Sequence, residues 1–388
     1  MPYSVTLPWV PAGYALEGAS KAGDRLKVAV REFTSSEDGE LFISRLEGFP
    51  SDLLNLLPAD VRPLPSAVEF MLAVIWPNQR ADIYLNEGKI SALVRVGRSI
   101  QAGEAVSVDD IVDILKLQFE GINVPPEAAV ICILSSGWRK GLFFDLSPLG
   151  RERPRREYDL WDVLGSYFAY LTNQALFKLD EAKWGVLFQQ GWFPFVSLPK
   201  RLVGRITQAV RDGGSIDRDV GLVCEAIRAI EPQIRQRWTK AEILSPHLPL
   251  LLHALDKFVE GDYISATGLL YPRIEGIMRS VHGAIGSPSG LKSPSLSSAA
   301  VSAWADRIHE FSWLLPNKFK TYLERVYFAE FSPGQAAPMS RHSVAHGVAS
   351  AGDFNQKNAC IGVLIVDQLV FLLPAARPPA HRLRVTAR

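Results

Sequence analysis

Arg151-Glu152-Arg153-Pro154-Arg155-Arg156 divides the sequence into two patterns, and Leu160-Trp161-Asp162-Val163-Leu164-Gly165-Ser166-Tyr167-Phe168-Ala169-Tyr170-Leu171 declares the second. Leu160, Leu164, Phe168 and Leu171 recur at spacings of four, four and three, which is one face of a helix. To the left of the charged run the period is two. In Leu26-Lys27-Val28-Ala29-Val30-Arg31 the large apolar residues take alternate positions, which predicts a half-buried strand. Val68–Trp76, Ala81–Leu85, Ile90–Val96 and Ala129–Leu134 are further apolar or β-branched runs, with prolines and glycines marking the gaps. Ser135–Gly141 reads as a strand-connecting turn and Phe143-Phe144-Asp145 as a strand edge. Ser107, with Asp109 and Asp110 behind it, predicts the cap of a short helix over Val108–Leu117. The charged run itself reads as a solvated linker.

To the right the helical period continues. The aromatics Trp184, Phe188, Trp192, Phe193 and Phe195 read as core, because no basic residues interleave them as in a base-stacking surface. From His247 four main helices follow. Leu251, Leu255, Phe258 and Val259 line the first, which Gly261-Asp262 ends. Tyr263–Val281 is the second, bent at Pro272; Asn317–Phe331 is the third and Asn355–Leu373 the fourth. Gly283–Ser298 reads as a Ser-, Gly- and Pro-rich loop, and Trp304–Trp313 as a short extra helix. The expected fold class is α+β: a β-rich N-terminal domain over 1–150, a helical connecting region over 151–243, an all-α bundle over 244–376, and a disordered basic tail over 377–388.

Composition bounds the function. Forty-two Lys and Arg against 41 Asp and Glu leave a net charge of +1, so a globally basic nucleic-acid binder is unsupported, whereas a local basic groove is compatible. Ala359–Leu373 is the most apolar stretch, but Asp367 and Gln368 interrupt it and a membrane span needs about 20 apolar residues. It reads as a buried core helix. Met1–Trp9 has no targeting pattern, and Cys132, Cys224 and Cys360 are too few and too scattered for a zinc-type pair, which points to a reducing compartment. A cytoplasmic protein without membrane contact and without a cofactor is expected; no dinucleotide fingerprint or phosphate-loop spacing occurs. Ser289-Gly290-Leu291-Lys292 matches Ser-x-x-Lys but lacks its companion motifs.

The chemistry concentrates in Ser340-Arg341-His342-Ser343-Val344-Ala345-His346-Gly347, which holds two of the seven histidines beside an arginine. Histidine transfers protons near neutrality, and the planar arginine fork suits a phosphate. On a helix His342 and His346 share a face, whereas Arg341 and His346 lie roughly 140° apart. They meet at one phosphate if the arginine bends across, if the helix breaks near Gly347, or if two chains supply the groups. The same spacing suits two other readings. One is a polar helix end packed at a domain surface. The other is a His-x-x-x-His metal pair, here without the glutamate of the familiar hydrolase version and without an evident third ligand.

Arg341-His342-x-x-x-His346 resembles the R-x4–6-H motif of the HEPN superfamily, in which a polar residue commonly follows the arginine. Tyr271-Pro272-Arg273-Ile274-Glu275-Gly276 resembles the Ile-Glu-Gly helix of its abortive-infection members. His346-Gly347, Asp353-Phe354, Asn358 and an apolar helix carrying Asp367 resemble their last helix. The resemblance runs from about Leu244 to Leu373. It implies a metal-independent endoribonuclease that works as a homodimer and cleaves RNA through attack of the 2′-hydroxyl, in prokaryotic phage defence or as a toxin. A phage-derived trigger or an antitoxin is the further partner it implies. By the same resemblance His346 is the general base or acid, Arg341 binds the phosphate, His342 orients the RNA or shares the proton transfer, and Glu275 supports Arg341 or belongs to a buried polar network. A catalytically silent HEPN-like module for dimerisation or for partner or nucleotide binding is the alternative.

Overall fold

The strands of the N-terminal region carry large apolar side chains on both faces, and that decides how they pack. In the computed structural model, which describes residues 2–9, 13–16, 21–36, 48–86, 89–150, 155–286, 292–305, 311–331 and 339–373, the order is β1 (Tyr3–Thr6), β2 (Tyr14–Ala15), β3 (Val28–Ala29), β4 (Arg31–Ser35), α1 (Phe49–Asn55), β5 (Met71–Ile75), β6 (Arg80–Leu85), β7 (Ile90–Val96), β8 (Ile111–Phe119), β9 (Ala129–Ser136) and β10 (Arg139–Asp145). Six of them form an antiparallel sheet in the order β1-β6-β5-β9-β10-β4. Met71, Ala73, Ile75, Ala129, Ile131 and Ile133 pack on one face with Leu53, Leu54 and Leu57 from the α1 region. Leu72, Val74, Val130, Cys132 and Leu134 pack on the other with Leu160, Leu164 and Leu171 of α2 (Leu160–Thr172). Burial on both faces is why these strands read as continuous apolar runs rather than alternating ones. Gly165 of α2 lies so close to β8 that an added Cβ would stand 2.7 Å from the Lys116 Cα.

Several expectations are corrected here. The half-buried alternation expected at Leu26–Arg31 is absent: only Ala29 is buried, Leu26, Val28 and Val30 are more than 40% exposed, and Lys27 and Arg31 are exposed as well, where β3 pairs with the short β2. Ser107 and Asp110 do form a capping box, yet it closes a single 3-10 turn, and the β-branched Ile111-Val112 then enters β8 beside β7. Phe143-Phe144-Asp145 lies in β10, second from the sheet edge and buried. The turn at Gly137 is as expected, with φ +60° and Trp138 exposed. Of the charged run, 151–154 lies outside the described residues, and Arg156 is buried, donating to the Ala128 carbonyl at 2.7 Å and facing Asp145 at 3.4 Å.

The remainder is helical: α3 (Gln174–Phe177), α4 (Glu181–Gln189), α5 (Lys200–Arg211), α6 (Val220–Ala229), α7 (Glu231–Lys240), α8 (Leu248–Glu260), α9 (Tyr263–Ala284), α10 (Ser293–Ala305), α11 (Pro316–Tyr322), α12 (Arg341–Ala345) and α13 (Gln356–Leu372). The long α9 packs against α8, α10, α12 and α13. Asp262 caps it, and Gly261, at φ +84°, ends the helix before it. Residues 293–298 of the expected loop instead open α10, whose buried face is made of Leu296, Ser297, Ala299, Ala300 and Val301. Ser297 is buried there among the alanines, in a composition that by itself reads as loop. Residues 287–291, which include most of the Ser-x-x-Lys match, residues 306–310 of the expected extra helix, and the tail from 374 lie outside the described residues. The expected third helix is interrupted: α11 gives way to a π-helical turn over Leu323–Tyr327. The fourth, α13, is buried all round from Asn358 to Leu369, as an apolar helix must be. No described helix is long and apolar enough to cross a membrane.

The chain gathers into two compact units built from non-consecutive segments. The first holds Met1–Val94, Ile114–Gln174 and His309–Phe311; the second holds Arg95–Asp113, Ala175–Ile308 and Ser312–Arg388. Within the second, Asp367 is fully buried on α13 and accepts from Arg237 at 2.6 Å, from the Trp238 indole at 3.1 Å and from the Ser197 hydroxyl. Cys224 and Cys360, 136 residues apart in sequence, are joined in a disulfide with Cα atoms 6.1 Å apart; Cys132 is free and buried.

Candidate active site

Five residues are too few to hold a helix without help at both ends. Helix α12 has that help. At its start Ser340 and Ser343 form a reciprocal capping box: the Ser343 amide donates to Ser340 Oγ at 3.2 Å and the Ser340 amide donates to Ser343 Oγ at 2.9 Å. At its end Gly347 takes φ +68°, and the Val348 amide reaches back to the Ser343 carbonyl at 2.9 Å while the Gly347 amide reaches Val344 at 3.2 Å. That is a Schellman motif, and it needs the left-handed residue that glycine supplies. The whole motif, from Arg341 to His346, is thus framed between two local stops.

The frame sets the side chains. His342 and His346 share a face as their spacing requires, with ring centroids 6.4 Å apart and planes 14° from parallel. Phe328 packs against His342 and Phe331 against His346, at 6.2 and 6.0 Å. Arg341 turns to α9, where its Nε pairs with Glu275 Oε2. The other Glu275 oxygen takes Arg279 Nη2 at 2.6 Å, one turn further along. The Glu275 side chain is 9% exposed and that of Arg341 26%, so the acid is the buried anchor and the arginine the exposed member. The ion pair makes Glu275 the group that sets the direction of Arg341.

The neighbouring Ile274-Glu275-Gly276 sequence has a packing reason at each residue. Ile274 is fully buried and Glu275 faces the two arginines. Gly276 leaves room for His247, whose ring carbon would stand 2.9 Å from an added Cβ. Burial and the charge of Arg273 hold the His247 pKa below its ordinary value, and its Nε2 meets Ser280 Oγ at 3.0 Å. Behind Glu275, Tyr327 of the π-turn donates to the Tyr271 carbonyl at 2.5 Å; burial first, and then the charge of Glu275, push its phenol well above the ordinary range.

Arg341, His342 and Glu275 line an open cavity of about 720 Å³, together with Arg279, Lys292, Arg325 and Phe328. Glu324 and Glu330 stand at the same cavity, so its cations exceed its acids by one, counting Arg279, Lys292, Arg325 and Arg341 against Glu275, Glu324 and Glu330. His346 lies outside the lining, on the exposed end of α12. The structure therefore brings together Arg341, His342 and Glu275 at the cavity and stacks His346 behind His342. Asp367, on the last helix, belongs to the separate pairing with Arg237. Sequence reasoning missed Arg279, Lys292, Arg325 and Phe328. Arg279 was legible as an i, i+4 partner of Glu275, whereas Arg325 reaches the cavity from a π-turn that no periodicity announces. No cluster of three or more His, Cys, Asp and Glu side chains placed to hold a metal ion occurs among the described residues. Comparison with protein-family models, with curated proteins and with solved structures gives no match.

Proposed function

We propose that this protein is a metal-independent endoribonuclease of HEPN type. The observation that carries the reading is the Glu275–Arg341 pair: a buried carboxylate aims a guanidinium into an open, cationic cavity beside two parallel histidines. The resemblance of Arg341-His342-x-x-x-His346 and of the Ile274-Glu275-Gly276 helix to that superfamily supports it. In this reading a neutral histidine removes the proton from a ribose 2′-hydroxyl. The 2′-oxygen then bonds to the adjacent phosphorus, the bond from phosphorus to the 5′-oxygen breaks, and the leaving oxygen takes a proton. Arg341 binds the phosphate oxygens and stabilises their developing charge, His346 acts as base or acid, and His342 orients the strand or shares the transfer. His346 lies on the exposed end of α12, so we assign the complete site to a homodimer, with two motifs in one cleft. The setting proposed is the cytoplasm of a prokaryote, where cleavage in response to a phage-derived trigger, or on release from an antitoxin, arrests growth.

Purified protein is expected to cleave single-stranded RNA in EDTA, leaving 2′,3′-cyclic phosphate and 5′-hydroxyl ends. Arg341→Ala and His346→Ala each lower the rate by ~10²–10⁴-fold without loss of fold, and mixing the two variants restores part of it if sites are shared. Cleavage that disappears with chelator and returns with zinc would favour the His342–His346 metal reading instead. Absence of cleavage under every condition, with a stable dimer, would favour the silent binding module.

A further inference from the structure

A second cavity, of about 520 Å³, lies beside the first in the same unit, and Arg325 and Ala329 line both. Phe188 and Tyr271 give it aromatic lining, and Met339 lines it with them. Tyr271 is 3% exposed and lines the cavity, and its hydroxyl makes no hydrogen bond among the described residues. Two carboxylates at the cavity are half committed. Asp353 Oδ2 takes the Ser350 amide and hydroxyl, both at 2.9 Å, which leaves Oδ1. Asp217 Oδ1 takes the Trp192 indole at 2.8 Å and Lys357 at 2.7 Å, which leaves Oδ2. Arg325 has no ion-pair partner among the described residues and stands where the two cavities meet.

We propose that this second cavity is a nucleobase subsite, which takes the base of a nucleotide whose phosphate lies toward Arg325 and Arg341. Its uncommitted acceptors favour a base with an exocyclic amine, so that cytosine, adenine and guanine enter and uracil is disfavoured. The chemistry follows from the walls. Single-stranded RNA is read by aromatic packing against splayed bases and by hydrogen bonds to their edges. A carboxylate oxygen accepts from an amino group but repels the carbonyl that uracil presents at the same place. The Tyr271 hydroxyl donates or accepts, and so serves a ring nitrogen or carbonyl beside that amine. The choice of an RNA strand as the source of the nucleotide rests on the ribonuclease reading; the base site itself does not.

The test uses the full-length His346→Ala protein, so that RNA survives the measurement. Binding of fluorescein-labelled oligocytidylate and oligouridylate of equal length is compared by anisotropy, and that of free CMP and UMP by calorimetry. The cytosine ligands are expected to bind at least about tenfold more tightly, the low end of what one hydrogen bond to a charged acceptor supplies. Tyr271→Phe, which keeps the ring, is expected to lower cytosine affinity severalfold. Met339→Trp, which fills the cavity, is expected to abolish the preference. Circular dichroism checks the fold of both, and the conservative Tyr271→Phe keeps the test decisive if Met339→Trp does not fold. Equal affinities for cytosine and uracil in every form would overturn the subsite while leaving the ribonuclease standing. Discrimination between CMP and UMP, with no binding of either oligonucleotide, would keep the base site but overturn RNA as its source, and the ribonuclease reading with it.

Discussion

Glu275 is the residue on which the site turns, since its two oxygens are divided between Arg341 and Arg279. Glu275→Gln keeps the size and one acceptor but removes the charge that both guanidinium groups share. Arg341 would then be held by a neutral bond and lose its fixed direction. Groups that orient a reacting side chain typically contribute about 10–100-fold, so RNA cleavage should fall by that factor, in kcat more than in KM. Both arginines keep solvent access, so stability should fall by only about 1–2 kcal/mol in urea unfolding. An unchanged kcat in a folded Glu275→Gln protein would show that Arg341 is aimed by something else. The pair was half legible: Glu275 stood out in Ile274-Glu275-Gly276, but which arginine it would take depends on α12 meeting α9, a contact between residues 66 positions apart in number, 341 against 275.

At the scale of elements, α12 is held by its ends rather than its length. Gly347 occupies a left-handed conformation that a β-branched residue resists. Gly347→Val should therefore cost about 1–2 kcal/mol in thermal unfolding and loosen the stacking of His346 on His342, so that activity falls although no proposed catalytic group is removed. Gly347→Asn, which tolerates that conformation better, should recover much of both; equal damage from the two would point away from backbone strain. Elements were legible where one physical signal acted alone. The two-sided strands β5 and β9 announced themselves through unbroken apolar runs, and α13 through burial all round. Legibility failed where signals competed. The cap at Ser107 governs one turn only, after which pairing with β7 wins. Serine-rich composition at 293–298 hid the small buried face of α10. The π-turn at Leu323–Tyr327 has no sequence period of its own, so the arrival of Arg325 at both cavities was invisible.

For the whole molecule, the decisive feature is that the second unit includes Arg95–Asp113, far upstream of its helices. That segment is woven into the unit by specific bonds. The Gly97 carbonyl accepts from Arg237, Asp109 accepts the first amide of α5 from Lys200 at 2.9 Å, and Asp113 accepts the Trp313 amide at 3.0 Å. Arg95 lies over the Trp304 ring at 4.7 Å and donates to the Phe371 carbonyl. A fragment comprising residues 151–388 would lose all of these and leave buried donors and acceptors unpaired, each at a cost of about 1–3 kcal/mol. It should be insoluble or partly unfolded by circular dichroism and size-exclusion chromatography, whereas the full chain is folded. A well-folded fragment with native helicity would overturn this account. Sequence gave no hint of the interweaving, because the partners of Arg95–Asp113 are chosen by tertiary packing and not by local pattern. The same feature dictates timing on the ribosome. At roughly 5–20 residues per second, translation from Asp113 to Gln356 takes on the order of 10–50 s, and throughout that interval the early segment waits for the helix α13 that completes its unit. On the ribonuclease proposal, a nascent chain whose second unit is unfinished would stay harmless to the messenger still being read.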